Sequence, residues 1–182
     1  MSDRRFPPEK IARLRDPQRI SHLEVPRVVD LCLDGIEAAS VVDVGTGSAL
    51  WAEAFAARGL AVAGADISPE MLEVARQFVP GGDFRQGPAE AIPFEDGAGD
   101  LAFIGLVLHE VDDFVGALRE ARRVARQRVA VLEWPYRVQE FGPPLEHRLA
   151  PEDVFSYAEQ AGGFATAEVT LLEHVALYRF AR

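Results

Sequence analysis

The sequence predicts an α/β fold: a doubly wound, seven-stranded, mostly parallel sheet with a C-terminal antiparallel hairpin. Three observations lead to this prediction. From Ser40 onward, short apolar runs alternate with helical patterns of roughly ten residues, which is the spacing of parallel βαβ units. A loop with two glycines follows the first apolar run. A tight connection joins the last two apolar runs of the chain. Ligands of such sheets bind beyond the carboxyl ends of the strands, so the residues after each strand matter most.

The first half of the alternation predicts three strands and two helices. The second helix begins at Ser68, which offers a capping hydroxyl and is followed by a proline and an acidic residue in the first turn. Its apolar residues recur at helical spacing and are expected to face the sheet. The predicted strands cover residues 41–44, 61–65 and 83–86, and the first helix covers residues 49–58.

The second half predicts two more strands, two helices and the final hairpin. Residues 113–125 are amphipathic, and the basic run 119–128 is interpreted as a solvated helix face. A proline-rich loop precedes the last helix. The predicted strands cover residues 100–104, 128–133, 164–171 and 174–180, and the last helix covers residues 151–161.

The length of 182 residues fits a single domain. We expect residues 1–39 to form a helical lid and residues 40–182 to form the core. The net charge of −10 argues against nucleic acid as a partner. The single cysteine, Cys32, excludes an intramolecular disulfide and is expected to be a buried apolar residue. There is no signal-peptide pattern and no membrane span, so we expect a cytoplasmic protein.

The loop after the first strand has the pattern Asp-x-Gly-x-Gly. Gly45 and Gly47 let the backbone turn sharply and approach a ligand, and the following helix offers unpaired N–H groups. Two glycines by themselves could equally serve only to join a strand to a helix. A dinucleotide-binding loop would need a third glycine at position 50, where Leu50 stands, which argues against a nicotinamide or flavin enzyme.

Asp66 strengthens the case for a ligand. It ends the second strand, where a carboxylate can accept hydrogen bonds from both hydroxyls of a ribose. A capping role for Asp66 is the alternative, but Ser68 is better placed to cap the helix. Together, the loop and Asp66 favour a ligand of the adenosine type.

Three segments, in this order, resemble the successive motifs of class I S-adenosylmethionine-dependent methyltransferases. The most similar group is the type 11 branch, which includes ubiquinone and menaquinone biosynthesis methyltransferases. The resemblance covers roughly residues 40–165 and implies a Rossmann-like methyltransferase fold with S-adenosylmethionine as the cofactor. The segments read VVDVGTGSALWAEAFAARG, VAGADISPEMLEVAR and FRQGPAEAIPFEDGAGDLAFIGLVLHEVDD.

The resemblance also implies roles for individual residues. Asp43, Gly45 and Gly47 would hold the methionine end of the cofactor. Asp66 would bind its ribose, and Leu106 would lie along it. The residues that the resemblance assigns to cofactor binding are Asp43, Gly45, Thr46, Gly47, Asp66, Ile67, Met71, Gly87, Ala89, Glu90 and Leu106. Two positions depart from the family pattern. Ala49 replaces a glycine, and Pro88 replaces an aspartate that bonds the adenine amino group, so we expect weaker cofactor binding.

Methyl transfer needs a general base only when the acceptor must lose a proton. His109 is the candidate for this catalytic role, and Glu110 follows it. Further residues that could border an acceptor pocket are Glu133, Trp134 and Tyr136, whereas His147 and Arg148 are interpreted as surface residues at least as readily. The four histidines are too dispersed to predict a metal site.

The leading hypothesis is in-line methyl transfer to a small-molecule acceptor, because the lid is short. The main alternative is a protein that binds S-adenosylmethionine or S-adenosylhomocysteine without transferring a methyl group, as a regulatory or partner subunit. A nicotinamide-dependent oxidoreductase is a third reading, which Leu50 and the terminal hairpin disfavour. A homodimer is compatible with the sequence.

Overall fold

The structure is a computed structural model that describes residues 12–182, so the first eleven residues of the lid predicted for residues 1–39 lie outside the described part. Its seven strands form one sheet. They are β1 (Ser40–Val44), β2 (Ala61–Asp66), β3 (Asp83–Gln86), β4 (Gly99–Gly105), β5 (Ala125–Glu133), β6 (Thr166–Leu171) and β7 (Ala176–Ala181).

The strand order is β3-β2-β1-β4-β5-β7-β6. The first five strands are parallel, and β7 pairs antiparallel with both β5 and β6. The predicted doubly wound sheet with a terminal hairpin is therefore confirmed. The order reverses between β1 and β4, which is the switch point where such sheets bind ligands.

Helices cover both faces of the sheet. The helices that follow β1 lie within a few residues of their predicted positions. Ser68 caps the fourth helix by accepting a hydrogen bond from the backbone N–H of Met71 at 3.2 Å. The helices of residues 17–182 are α1 (Pro17–His22), α2 (Val25–Leu33), α3 (Leu50–Ala56), α4 (Pro69–Phe78), α5 (Phe114–Val124) and α6 (Pro151–Gln160). None of these helices combines the length and apolarity needed to span a lipid bilayer.

Alternate side chains of the central strands fill two cores. In β4, Leu101 and Phe103 pack under α2, α3 and α4, whereas Ala102 and Ile104 pack under α5 and α6. This alternation follows from the two-residue period of a strand that is buried on both faces. Cys32 is fully buried in the first core, as predicted.

Two arginines of the sheet fasten the C-terminal end of α2. Arg128 of β5 donates hydrogen bonds to the carbonyls of Cys32 and Asp34 at 2.8 and 2.7 Å, and Arg179 of β7 donates to the carbonyl of Leu31 at 2.9 Å. These bonds satisfy carbonyls that a helix end leaves unpaired. The segment 25–33 is therefore part of the packed core. The residues before it extend toward the carboxyl ends of the central strands.

The basic run 119–128 is more than a solvated face, and in this respect our interpretation was wrong. Arg123 donates to the carbonyls of Ile92 and Phe94 at 2.9 and 2.8 Å and so ties the loop after β3 to α5. Arg128 is buried under α2. A guanidinium has five donors, which lets one arginine bind several carbonyls that no local sequence pattern reveals.

Candidate active site

A cavity of about 860 Å³ opens at the carboxyl ends of β1, β2 and β4. It lies at the switch point of the sheet and is walled by the loops that follow these strands. Every residue assigned to the cofactor by the resemblance lines it except Asp43. The predicted residues on its wall are Gly45, Thr46, Gly47, Asp66, Ile67, Met71, Gly87, Ala89, Glu90, Leu106 and His109.

The loop after β1 wraps tightly over the end of β2. The backbone N–H groups of Gly45 and Thr46 both donate to the carbonyl of Ala65, at 2.8 and 2.9 Å. Gly45 has a φ of +68°, and a Cβ there would lie 2.6 Å from a methyl of Val107. Gly47 has a φ of +49°, but its Cβ would meet nothing nearer than 3.8 Å. A side chain at position 45 would therefore collide with Val107 as well as meet an unfavourable φ. At position 47 only the positive φ favours glycine, and the space beside it is open.

Asp66 braces this loop from below. One carboxylate oxygen accepts from the N–H of Gly47 at 2.8 Å, and the other accepts from the N–H of Ser68 at 2.9 Å. Burial raises the pKa of Asp66, while these backbone donors act to lower it. An ionised carboxylate has about four lone-pair sites, so the backbone donors of Gly47, Ser68 and Ile67 leave acceptor capacity for a ligand.

Asp43 lies behind the loop and does not line the cavity. Its side chain is buried and accepts a hydrogen bond from the hydroxyl of Thr46 at 2.7 Å. Burial raises the pKa of Asp43 to about 7, against the lowering effect of the Thr46 hydroxyl and the backbone of Ala52. In this structure Asp43 acts on the cavity through Thr46.

The far wall comes from the segments after β3 and β4. Leu106 has a φ of +59°, an uncommon conformation for a residue with a branched side chain. Its N–H donates to the carbonyl of Leu132 at 2.8 Å, which holds it in place. Glu90 accepts from the N–H of Asp112 at 3.2 Å and so joins the two segments. Pro88, the departure from the family pattern, lies on the same wall.

His109 and Glu133 form a buried pair. The Nδ1 atom of His109 lies 2.8 Å from Oε2 of Glu133, and the backbone N–H of His109 donates to Oε1 at 3.0 Å. Glu133 is 1% exposed. Burial lowers the pKa of His109, but the hydrogen bond and the charge of Glu133, with that of Glu110, outweigh it and raise its pKa above the ordinary value.

The sequence placed these two residues separately after β4 and β5 and did not predict that they pair. Because β4 and β5 are parallel neighbours, with Gly105 in register with Leu132, their following residues meet at one edge. Trp134 also lines the cavity, whereas Tyr136 is absent from its wall and is 52% exposed. Leu14, Arg19 and Pro143 on the wall were not predicted at all.

Arg148 is buried, so the surface interpretation of this residue was wrong. Its guanidinium donates to four carbonyls of the loop between β5 and α6, and in this way gives the loop a fixed shape. The acceptors are the carbonyls of Pro135, Arg137, Phe141 and Pro143, at 2.8 to 3.1 Å. Among residues 12–182, no group of three histidine, cysteine or acidic side chains is arranged to hold a metal ion.

Comparison with known proteins connects this geometry to a family. A family model described as a methyltransferase domain matches residues 42–132, which is half of the chain. Demethylmenaquinone methyltransferase of Chlorobaculum tepidum is 34% identical over 95 residues, covering 52% of this chain and 39% of that protein. Malonyl-[acyl-carrier protein] O-methyltransferase of Serratia marcescens is 34% identical over 92 residues, covering 50% and 36%. The chain therefore spans well under half the length of these two relatives.

A solved structure extends the likeness to nearly the whole fold. A SAM-dependent methyltransferase from Aquifex aeolicus superimposes with a TM-score of 0.81 at 23% identity, covering 97% of this chain and 99% of that one. The domain match, the relatives and the fold agree with the motifs in the sequence. The chain belongs to the methyltransferase-domain family, in the type 11 branch of the class I S-adenosylmethionine-dependent methyltransferases.

Proposed function

We propose that this protein is an S-adenosylmethionine-dependent methyltransferase that acts on a small-molecule acceptor. The observation that carries the proposal is the hydrogen bond from Gly47 to Asp66, which joins the two predicted cofactor-binding features on one cavity wall. A ligand that uses the loop must therefore also meet the carboxylate. Family membership supports the reaction, and the cavity supports the cofactor.

The residues present fit this cofactor in three respects. The cavity of about 860 Å³ is within the usual range of roughly 300–1,000 Å³ for small-molecule sites. Asp66 keeps acceptor capacity for a hydroxyl of a ribose beside its backbone donors. Acidic side chains line the wall and favour a cation such as a sulfonium, namely Asp66, Glu70, Glu90, Glu110 and Asp112.

When bound, S-adenosylmethionine supplies a methyl group that its sulfonium already activates. The contribution of the chain is then to hold the acceptor in a near-attack position and to exclude water, which can supply much of the acceleration. The loop from Gly45 to Gly47 and Asp66 would hold the cofactor, and Leu106 and Trp134 would shape the space beside it. The acceptor would approach from the side of His109 and Trp134.

We assign His109 as a general base for acceptors that carry a hydroxyl or an acidic carbon. Glu133 accepts from Nδ1–H, because a carboxylate can only accept, and this leaves the Nε2 lone pair available for a proton. Nε2 is 3.8 Å from the nearest oxygen of Glu110, beyond hydrogen-bond distance. Glu133 is a positioning residue, since it fixes the tautomer and stabilises the imidazolium form.

One observation bears on the alternative function, cofactor binding without transfer. Pro88 stands on the cavity wall where the family pattern has an adenine-binding aspartate, and it offers neither a carboxylate nor a backbone N–H. The expected loss is on the order of 1 kcal/mol, or several-fold in affinity. Weakened adenine recognition suits a protein that senses the cofactor as well as it suits a slow enzyme.

Calorimetric titration with S-adenosylmethionine, S-adenosylhomocysteine and NADH tests the proposal. We expect dissociation constants in the micromolar range for the first two and no binding of NADH. Transfer of a labelled methyl group is then measured across phenols, quinols, amines and thiols. Binding without any transfer would favour the alternative, and binding of NADH alone would refute both.

A further inference from the structure

A second cavity of about 710 Å³ adjoins the first. Leu14, Arg19 and Trp134 line both cavities, so the two share a wall. The second one is built by the segment 13–22 and the loop after β5, which lie far apart in the sequence. Its remaining lining residues are Arg13, Asp16, Gln18, His22, Phe141 and Gly142.

One side of the second cavity is a wall of packed rings. Phe141 stacks on His22 with ring centroids 4.5 Å apart and planes 12° apart, and His174 packs edge-on against both. Trp134 meets Phe141 at 6.4 Å. Rings that are already packed lose little entropy when a ligand stacks on them, so this wall suits a flat aromatic molecule.

Among the described residues, two arginines and one carboxylate line this cavity, whereas one arginine and five carboxylates line the first. Arg13 and Arg19 line the second cavity, in a chain whose net charge is −10. The carboxylate of Asp16 is used in capping α1, where it accepts from the N–H groups of Gln18 and Arg19 at 2.9 and 3.2 Å. Arg19 donates to the carbonyl of Leu14 at 3.0 Å through one of the five N–H donors of its guanidinium. Two guanidinium groups on one cavity wall suit a carboxylate, which arginine can bind through two N–H groups at once.

Trp134 connects this wall to the base. Its backbone N–H donates to Oε2 of Glu133 at 3.2 Å, and the same oxygen holds Nδ1 of His109. The side chain of Trp134 lines both cavities, and His109 lines the first. A molecule that spans both cavities has its anionic end near the arginines and its other end near His109.

On this basis we propose that the second cavity binds the acceptor, and that the acceptor is a hydroxylated aromatic carboxylate. The carboxylate is held by Arg13 and Arg19, the ring lies against Trp134 and Phe141, and the hydroxyl points toward Nε2 of His109. This inference rests on the proposed function, because a molecule in the second cavity is an acceptor only if the protein transfers a methyl group. The binding site itself can be tested separately.

Fluorescence and calorimetric titrations with 4-hydroxybenzoate and 4-hydroxycinnamate test it, each with and without S-adenosylhomocysteine. The methyl esters of the same acids are the neutral controls. We expect at least one acid to bind, and its ester to bind at least ten-fold more weakly. Arg13→Gln should weaken the acid about ten-fold and leave S-adenosylhomocysteine binding unchanged, because Arg13 lines only the second cavity. Arg27→Gln, on an exposed position of α2, should change neither.

The outcomes separate the two proposals. If S-adenosylhomocysteine binds and neither acid does, the acceptor class is wrong and the proposed function stands. If acid and ester bind equally, or if Arg13→Gln leaves acid binding intact, the role of the arginines is refuted. If the acids bind as expected but S-adenosylhomocysteine does not, the second site is supported and the cofactor assignment fails. Phe141→Leu, which keeps an apolar side chain, should weaken both acid and ester by losing the stacked ring.

Discussion

The carboxylate of Glu133 receives both the ring and the backbone of His109. Nδ1 lies 2.8 and 3.1 Å from its two oxygens, and the backbone N–H donates at 3.0 Å. The histidine is therefore fixed in position and in tautomer by one residue that comes 24 positions later. Such a pair has a direct signature in the titration of the histidine.

Glu133→Gln should lower the pKa of His109, because the carboxylate stabilises the imidazolium and an amide does not. The NMR titration of the His109 ring protons measures this, with His109→Gln identifying the signals. If transfer is observed, the acid limb of its pH profile should move to lower pH together with the histidine. The control Glu159→Gln, on α6, should leave the titration in place. An unchanged pKa in Glu133→Gln would contradict the positioning role.

Asp66→Asn should weaken S-adenosylhomocysteine binding by about 100-fold. Hydrogen bonds to a charged group are worth about 1.5–3 kcal/mol each, and the amide also turns a donor toward Gly47 or Ser68. Calorimetry gives the affinity, and thermal unfolding shows whether the variant is folded. Asp83→Asn, at the exposed amino end of β3 and outside the cavity wall, is the matched control. Equal affinities of wild type and Asp66→Asn would mean that the cofactor lies elsewhere.

Pro88→Asp should strengthen S-adenosylhomocysteine binding several-fold. The substitution restores a carboxylate and a backbone N–H on the cavity wall at the position that departs from the family pattern. Pro80→Asp adds the same charge at an exposed site away from the cavity and should have no effect. If both variants gain equally, the cause is overall charge and not adenine recognition.

The two loop glycines should respond differently to alanine. Gly47→Ala costs the positive φ alone, about 1–2 kcal/mol, because its Cβ has room. Gly45→Ala adds a collision with Val107 and should cost about 2–5 kcal/mol in the free energy of unfolding. Urea unfolding measures both. In a background of Val107→Ala the cost of Gly45→Ala should shrink, while that of Gly47→Ala should not, and equal costs would argue against the collision.

Asp43 should make folding stability depend on pH. Its pKa is about 7 in the folded chain and about 3.8 when unfolded, so its contribution is fully present below pH 3.8 and is lost as the pH rises to 7. Asp43→Asn resembles the protonated form and should gain stability relative to wild type over that interval, with no further gain above it. Urea unfolding at pH 5, 6, 7 and 8 tests this, with Asp153→Asn as the control. A constant difference across the series would show that Asp43 ionises normally.

Most of the fold could be predicted because its signals are local. The apolar runs, the loop with Gly45 and Gly47 and the cap at Ser68 each depend on a few neighbouring residues. The strand β5 was predicted to start at Arg128 but begins at Ala125, because Arg126 and Gln127 hide the run in polar residues. Residues 129–132 of this strand are all apolar and predict it, whereas residues 126–128 are all polar and do not.

The site could be predicted only where it follows a local motif. The loop from Gly45 to Gly47 and Asp66 are such cases, and the structure places both on the cavity wall. The pair of His109 and Glu133 depends on which strands are neighbours, and the carbonyl acceptors of Arg148 depend on the path of a loop. Neither relation leaves a pattern in the linear sequence. The second cavity was missed for the same reason.

The hydrogen bonds from Arg128 and Arg179 to the end of α2 set an order of events during synthesis on the ribosome. The hydrogen bonds to the carbonyls of Cys32 and Leu31 come from Arg128 and Arg179, which are synthesised 96 and 148 residues later. The segment that carries Arg13, Arg19 and His22 directly precedes this helix, and His22 packs against His174 of the last turn. A nascent chain can thus form the sheet around its glycine loop early, but the arginine-lined cavity is completed only after β7 has emerged and paired.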